Sequence, residues 1–316
     1  IQNRPKSALK GALLMSQPAS LRKKTGLRAT MGKYWMLYLM FLPVLAYYIL
    51  FNYVPMFGVA IAFKNYKVTR GFLGSAWCGL DNFRSFFDSI YAWRCIRNTL
   101  SISLLSLIFG FPAPIILALM FNEVRSQKYK KVLQTISYLP HFVSFVIVYA
   151  VFYNFFSYDG VINNLRVAMG LDKVLYLGST AHYRGLFVGM ALWKEVGWGA
   201  IIYLASLSRV SPELYEAAEI DGAGKLKQIL HVTLPAIRPI ISIQFVRTMG
   251  GILSVSFDQT LVMNNVMVAQ VADVLSYYIY QIGLLSRNQF SYATAMGLFD
   301  SALSVLIVIL TNKGAK

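Results

Sequence analysis

Acidic residues are scarce in this sequence. Its 316 residues hold 13 Asp and Glu against 30 Lys and Arg, for a net charge of +17, and charged residues of both signs make up only 14%. With 57% hydrophobic and 15% aromatic residues, that scarcity excludes an ordinary water-soluble domain of this size. Cysteine is nearly absent as well. Cys78 and Cys95 match neither a zinc ligand set nor a redox pair; both fall in a loop expected outside, where a disulfide is open to them, and two free thiols are the plainer reading. The three histidines, His141, His182 and His231, are too dispersed for a metal site. No Ser/His/Asp or Cys/His constellation emerges, so no catalytic residue is assigned. A phosphate loop of the G-x-x-x-x-G-K-[ST] kind is missing too.

What the sequence has in quantity is long apolar runs. A bilayer core of about 30 Å needs roughly 20 apolar residues per helix. Six stretches meet that length, at about 34–62, 97–121, 136–156, 185–207, 240–263 and 293–311. They lack the alternation of a β-barrel, so the spanning elements must be helices. The expected fold class is an all-α membrane protein with six transmembrane helices.

Basic residues cluster between these runs, which answers to membrane topology better than to nucleic acid. The first 33 residues carry eight of them, with no acidic residue, no long apolar core and no cleavage site. They read as a basic cytosolic tail, not a secretory signal; the chain opens on Ile1, which leaves its native start upstream or at Met15. The tail, the loops at 122–135 and 208–239 and the C-terminus hold 18 Lys and Arg, against 10 on the opposite side. Both termini are therefore expected in the cytosol. The outer loops carry those 10 basic residues against Asp81, Asp88, Asp159, Asp172 and Asp273, an excess that would steer an anionic solute inward, though an acidic docking protein would account for it equally.

Between the fourth and fifth runs the chain reads Ser211-Pro212-Glu213-Leu214-Tyr215-Glu216-Ala217-Ala218-Glu219-Ile220-Asp221-Gly222-Ala223-Gly224. Ser211 suits the N-cap, Pro212 the first helical position and Glu213 the dipole, while Gly222 or Gly224 can end the helix. Leu214, Ala217, Ala218 and Asp221 then share one narrow face bordered by Glu213, Glu216 and Glu219, fit to dock in a groove of another protein. A capped amphipathic helix at the lipid interface would share the same punctuation.

The spacing is more specific than that. Glu216-Ala217-Ala218, Gly222, Val232 and Leu234-Pro235 resemble the EAA signature of ABC importer permeases, with Val232 where the family has Ile. Trp193-Lys194-Glu195-Val196-Gly197-Trp198, Asp221-Gly222-Ala223 and Thr233-Leu234-Pro235-Ala236 resemble its carbohydrate-import branch. The likeness runs from about residue 30 to the end and looks strongest to oligosaccharide importers of the LplB type, a group that includes an alginate-import subunit. It implies a type I importer transmembrane domain, MetI-like, over 34–312 with its core at about 94–312 and a coupling loop at 208–239. It further implies a bacterial inner-membrane location, a second homologous permease, two ATPase subunits that carry ATP and Mg, and an extracytoplasmic solute-binding protein. No cofactor is expected on this chain, which is not an enzyme by itself. Leu214, Glu216, Ala217, Ala218, Asp221, Gly222, Leu234 and Pro235 would couple it to the ATPase.

Ionisable residues inside apolar spans are functional candidates, which singles out Lys194, Glu195, Arg247, Asp258 and Asp300. Trp193, Trp198, Tyr203, Gln259, Asn264 and Asn265 have the aromatic faces and planar amides that bind sugars. With Lys194 and Arg247 among them, an acidic oligosaccharide of uronate or alginate type is the expected cargo. A self-sufficient ion-coupled secondary transporter is the rival; it would take up solute without partners. A membrane-embedded enzyme would instead form product in detergent.

Overall fold

In the computed structural model the described residues are 34–286 and 289–314; the basic tail assigned to 1–33 lies outside them. The chain divides after Gly58 into two units. In the first, α1 (Trp35–Tyr48) passes into a π-turn at Ile49–Tyr53 and a last helical turn at Val54–Met56. Pro55 lacks an N–H and its ring crowds the carbonyl four residues back, and the widened turn directly before it accommodates both defects.

The second unit opens with a small antiparallel pair, β1 (Lys64–Asn65) and β2 (Ala76–Trp77), with Lys64 opposite Trp77. Helix α2 (Asp81–Phe87) leads to α3 (Ile90–Gly110), which continues through Phe111 into α4 (Pro112–Glu123). Then follow α5 (Gln127–Tyr138), a 3-10 turn at Leu139–Phe142, α6 (Phe145–Phe156) and the short α7 (Val161–Ala168). The long α8 (Thr180–Leu207) precedes α9 (Pro212–Ile220). A helical turn at Lys225–Gln228 and a π-turn at Ile229–Thr233 feed α10 (Leu234–Gly250). Short helices α11 (Phe257–Met263) and α12 (Leu275–Tyr280) come before the final α13 (Phe290–Gly314).

Six helical stretches among the described residues are long and apolar enough to cross a membrane: Trp35–Phe63, Ile90–Glu123, Phe145–Ala168, Thr180–Leu207, Lys225–Gly250 and Phe290–Lys313. Their large apolar side chains face outward, as at Met120 (62% exposed) and Ile243 (63%), which leaves a lipid-compatible belt. The all-α, six-span expectation holds, and two spans differ from their expected positions. The fifth covers 225–250, not 240–263: the π-turn ahead of Pro235 lets helix run through Thr233-Leu234-Pro235, and the Gly250–Gly251 pair stops it. The apolar run beyond, read as its second half, is the separate helix α11.

The third crossing is interrupted. Twelve-residue α6 is only about 18 Å long, short of the bilayer core. Yet α8 packs along α6, the 3-10 turn and α5 in turn. Trp193 lies near Phe152, Lys194 reaches Pro140 and His141, and Gly197 meets Ser137. Residues 127–156 therefore run antiparallel to α8 as one crossing broken near Val143–Ser144, and α7 is a separate outer piece.

That outer piece is tied down by polar groups. Buried Asn163 donates to the carbonyls of Ser157 and Val174 and accepts from the Val174 N–H. Lys173 donates to Asp159 at 2.6 Å, a bond that pushes the lysine pKa upward. Cys78 and Cys95 are free thiols.

Candidate functional site

A cavity of about 730 Å³ opens between α3, α4, α8 and α10, closed at one end by the 251–259 segment. Its wall is mostly apolar, with Phe111, Phe187 and Val255 prominent, and a few polar groups converge on it. That is the usual composition of a small-solute site. Arg247 is the only charged residue in that wall among the described residues. Trp198, Tyr203 and Gln259 join it there, so four of the residues singled out from sequence come together.

Gln259 is fully buried. Its Nε2 donates to the Phe187 carbonyl at 2.6 Å, while its Oε1 has no partner. Ser103, 5% exposed on α3, likewise has an unpartnered hydroxyl and lines the same cavity. Leaving a buried polar atom unpaired costs about 1–3 kcal/mol. Two such atoms lie at this one cavity wall. Ser103, Gln244 and Thr248 escape a sequence reading because hydroxyls and amides are unremarkable in apolar helices; only the fold gathers them.

The other substrate-path candidates lie elsewhere. Trp193 packs beside Phe152, 46% exposed and away from the cavity. Asp258 is exposed in the first turn of α11, and half-buried Asp300 on α13 lines neither this cavity nor the one described below. Asn264 and Asn265 line that second cavity.

Lys194 is also off the path, for a structural reason. It is 5% exposed near the middle of α8, and its ammonium donates to the His141 carbonyl at 2.5 Å and the Pro140 carbonyl at 3.5 Å. Glu195 sits 3.4 Å from that ammonium and accepts from or pairs with His141 Nδ1 at 2.7 Å. The His141 ring lies flat on Trp198, centroids 4.4 Å apart, and Phe145 lies beneath the lysine. The Pro140 carbonyl also accepts from the Val143 N–H, but the His141 carbonyl, freed by the break in the third span, must be satisfied inside the membrane, and this ammonium does it. Gly197 allows the approach: a Cβ there would stand 1.9 Å from the Ser137 carbonyl oxygen. The Trp-Lys-Glu-Val-Gly-Trp segment is thus a clamp on the broken span, and only its last residue reaches the cavity.

At the far end of α8, helix α9 stands out from the spans. Leu214, Glu216 and Ala217 are exposed, and Ile220 is 87% exposed. Gly222 takes φ +73°, its N–H bonding the Glu219 carbonyl while the Ala223 N–H bonds that of Ala218. This paired closure is a Schellman end, and it needs a residue tolerant of the left-handed region. Behind it, Gln228 donates to the Ala223 carbonyl and Tyr215 shares a 3.1 Å hydrogen bond with Thr233 at the foot of α10. Leu234 is turned inward, against a cluster with Ala118, Tyr203, Leu207 and Ile237. Of the residues assigned to coupling, Leu214 to Gly222 thus form an exposed knob, while Leu234 and Pro235 root that knob in the spans. Tyr203, shared by the cluster and the cavity wall, lies between the two sites.

The fold recurs in known proteins. Protein LplB of Bacillus subtilis (strain 168) is 43% identical over 281 residues, which cover 89% of this chain and 88% of LplB. The polygalacturonan/rhamnogalacturonan transport system permease protein YteP of the same organism is 42% identical over 296 residues, 93% of this chain and 91% of YteP. A crystal structure of a bacterial ABC transporter involved in import of the acidic polysaccharide alginate superposes with a TM-score of 0.86 at 40% identity, covering 92% of this chain and 98% of that one. A second, of an alginate transporter in complex with an alginate pentasaccharide-bound periplasmic protein, gives 0.85. Residues 110–312 match the family described as binding-protein-dependent transport system inner membrane component. The chain belongs to that family: it is a multi-pass inner-membrane permease of an ABC transport system.

Proposed function

We propose that this permease forms half of the translocation pathway of an ATP-driven importer whose cargo is an oligosaccharide, and an acidic one of uronate type. A second homologous permease would supply the other half. Two ATPase subunits would bind ATP and Mg on the cytosolic side, and an extracytoplasmic solute-binding protein would deliver the sugar. The observation that carries this reading is α9, an exposed knob stiffened by its Schellman end and braced to α10 through Tyr215. A projecting acidic helix with Ala217 and Ala218 on one face suits a groove in a partner that pushes on it.

Closure of the ATPase dimer on ATP would carry α9 with it, and the brace to Thr233 and the packing of Leu234 would pass the displacement to α10 and the cavity wall. In that cavity, Trp198 and Tyr203 offer ring faces to sugar C–H surfaces, Gln259 and Ser103 offer unpaired oxygens to hydroxyls, and Arg247 offers a bidentate site for a carboxylate. The acidic character of the polymers named for the relatives and the basic excess of the outer loops support an anionic cargo.

The test is reconstitution of the permease with its partner permease and ATPase in proteoliposomes, measuring ATP hydrolysis with binding protein loaded by a uronate oligomer, by a neutral oligomer of equal length, or empty. Stimulation by the uronate-loaded protein alone is expected. Stimulation by the neutral load alone would discard the acidic cargo, and no stimulation under any load would discard the importer.

A further inference from the structure

A second cavity, of about 820 Å³, lies at the opposite end of the spans from α9, where α3 and α13 begin and α11 ends. Its wall differs in kind from the first. Tyrosine rings and hydrogen-bonding side chains dominate it, among them Tyr91, Arg94, Asn264, Asp273, Tyr278 and Tyr292. Tyr91 and Tyr278 stack, with centroids 5.5 Å apart and planes at 19°; Tyr278 is buried at 7% exposure and Tyr91 is 44% exposed, so the aromatic platform is the Tyr91 ring backed by Tyr278. The Arg94 guanidinium lies over the Tyr91 ring at 4.7 Å. Asp273 holds it loosely: Nε stands 4.0 Å from Oδ2, a long ion pair, while Asn264 donates to the other carboxylate oxygen at 3.1 Å. Among the described residues no hydrogen bond occupies the remaining guanidinium donors.

Asp273 is itself fixed from behind. The fully buried Asn98 donates to the Asp273 and Gln270 carbonyls and accepts from Arg184, and Thr99 accepts from the Leu275 N–H. The platform and its arginine thus rest on a rigid polar network.

We infer that this cavity is an entry subsite for one or two uronate units of an acidic glycan, where the Tyr91–Tyr278 platform takes the apolar face of a sugar ring and Arg94 takes its carboxylate. The inference rests on the importer reading above and adds a second station to it. A flat ring beside a planar fork of donors matches a pyranose bearing a C6 carboxylate, which presents an apolar face and a planar anion at its edge. The long pairing with Asp273 orients Arg94 without consuming it. Asn264 and Asp273 then remain for the ring hydroxyls.

The test uses the whole permease–ATPase complex in lipid nanodiscs without binding protein, titrated calorimetrically with a uronate tetramer and with its carboxyl-reduced neutral counterpart. Wild type is expected to bind the uronate tetramer more tightly. Arg94→Gln should weaken that binding about tenfold, the size of one lost charge-assisted hydrogen bond, and leave the neutral tetramer within about twofold. Arg94→Lys should recover part of the loss, which also shows that the variant protein folds. Tyr91→Ala should weaken both tetramers. Binding lost in Arg247→Gln but kept in Arg94→Gln would place the glycan in the first cavity alone and overturn the inference. An Arg94→Gln variant that weakens docking of binding protein whatever its load would make this a protein contact, which overturns it too. A wild-type complex stimulated by loaded binding protein that binds no free tetramer would sink the subsite and leave the importer standing; no stimulation at all would sink the importer itself.

Discussion

Lys194 shows how the chemistry of one side chain is set by its neighbours. A buried ammonium in an apolar helix reads from sequence as a solute contact, and here it closes a break in the chain. Lys194→Met keeps the length and removes the donors, stranding the His141 carbonyl at about 1–3 kcal/mol, while the Pro140 carbonyl keeps the Val143 N–H. The melting temperature of the purified complex should fall by roughly 5 °C or more, while the KM for transported glycan stays near wild type. A raised KM with unchanged melting would return Lys194 to the solute path. The residue's importance was legible in the sequence, since charge is rare in such a span; its role was not, because the partners are backbone atoms of Pro140 and His141. Gly197 was equally unreadable, for the contact that requires it lies on another helix. Arg247 and Gln259 were legible because polar groups in apolar helices are costly to keep without use, and Trp198 and Tyr203 because their ring faces suit sugars.

Helix α9 was the most legible element. Its cap, its opening proline and its terminal glycine are local signals, and the helix stands where they put it, at Pro212–Ile220. Ala217 is exposed and has room for a larger side chain in the permease alone, whereas Ala218 is half-buried. Ala217→Leu should therefore leave the melting temperature within about 1 °C, as surface changes do, and abolish stimulation of ATP hydrolysis by loaded binding protein. Preserved stimulation would remove α9 from the coupling path. The third and fifth spans were harder to read, since proline and glycine ordinarily end helices. At Pro235 a π-turn carries the helix through, and at Pro140 the break is kept and clamped from α8. Neither remedy has a local sequence mark, because one is a shift in hydrogen-bond register and the other comes from a distant helix.

For the molecule as a whole, the distribution of Lys and Arg predicts α9 in the cytosol and the tyrosine-lined cavity outside. Single cysteines at Ile220 and Val266, which are 87% and 96% exposed, test this directly once Cys78 and Cys95 are replaced by serine. An impermeant maleimide added to intact spheroplasts should label Val266→Cys and not Ile220→Cys; the reverse pattern would invert the topology. The interrupted third span also bears on how the protein is made. The His141 carbonyl at its break is covered by an ammonium that emerges from the ribosome 53 residues later. Until α8 arrives, that crossing carries an unpaired carbonyl in hydrocarbon, which favours entry of the third and fourth spans into the bilayer as a pair over entry one helix at a time.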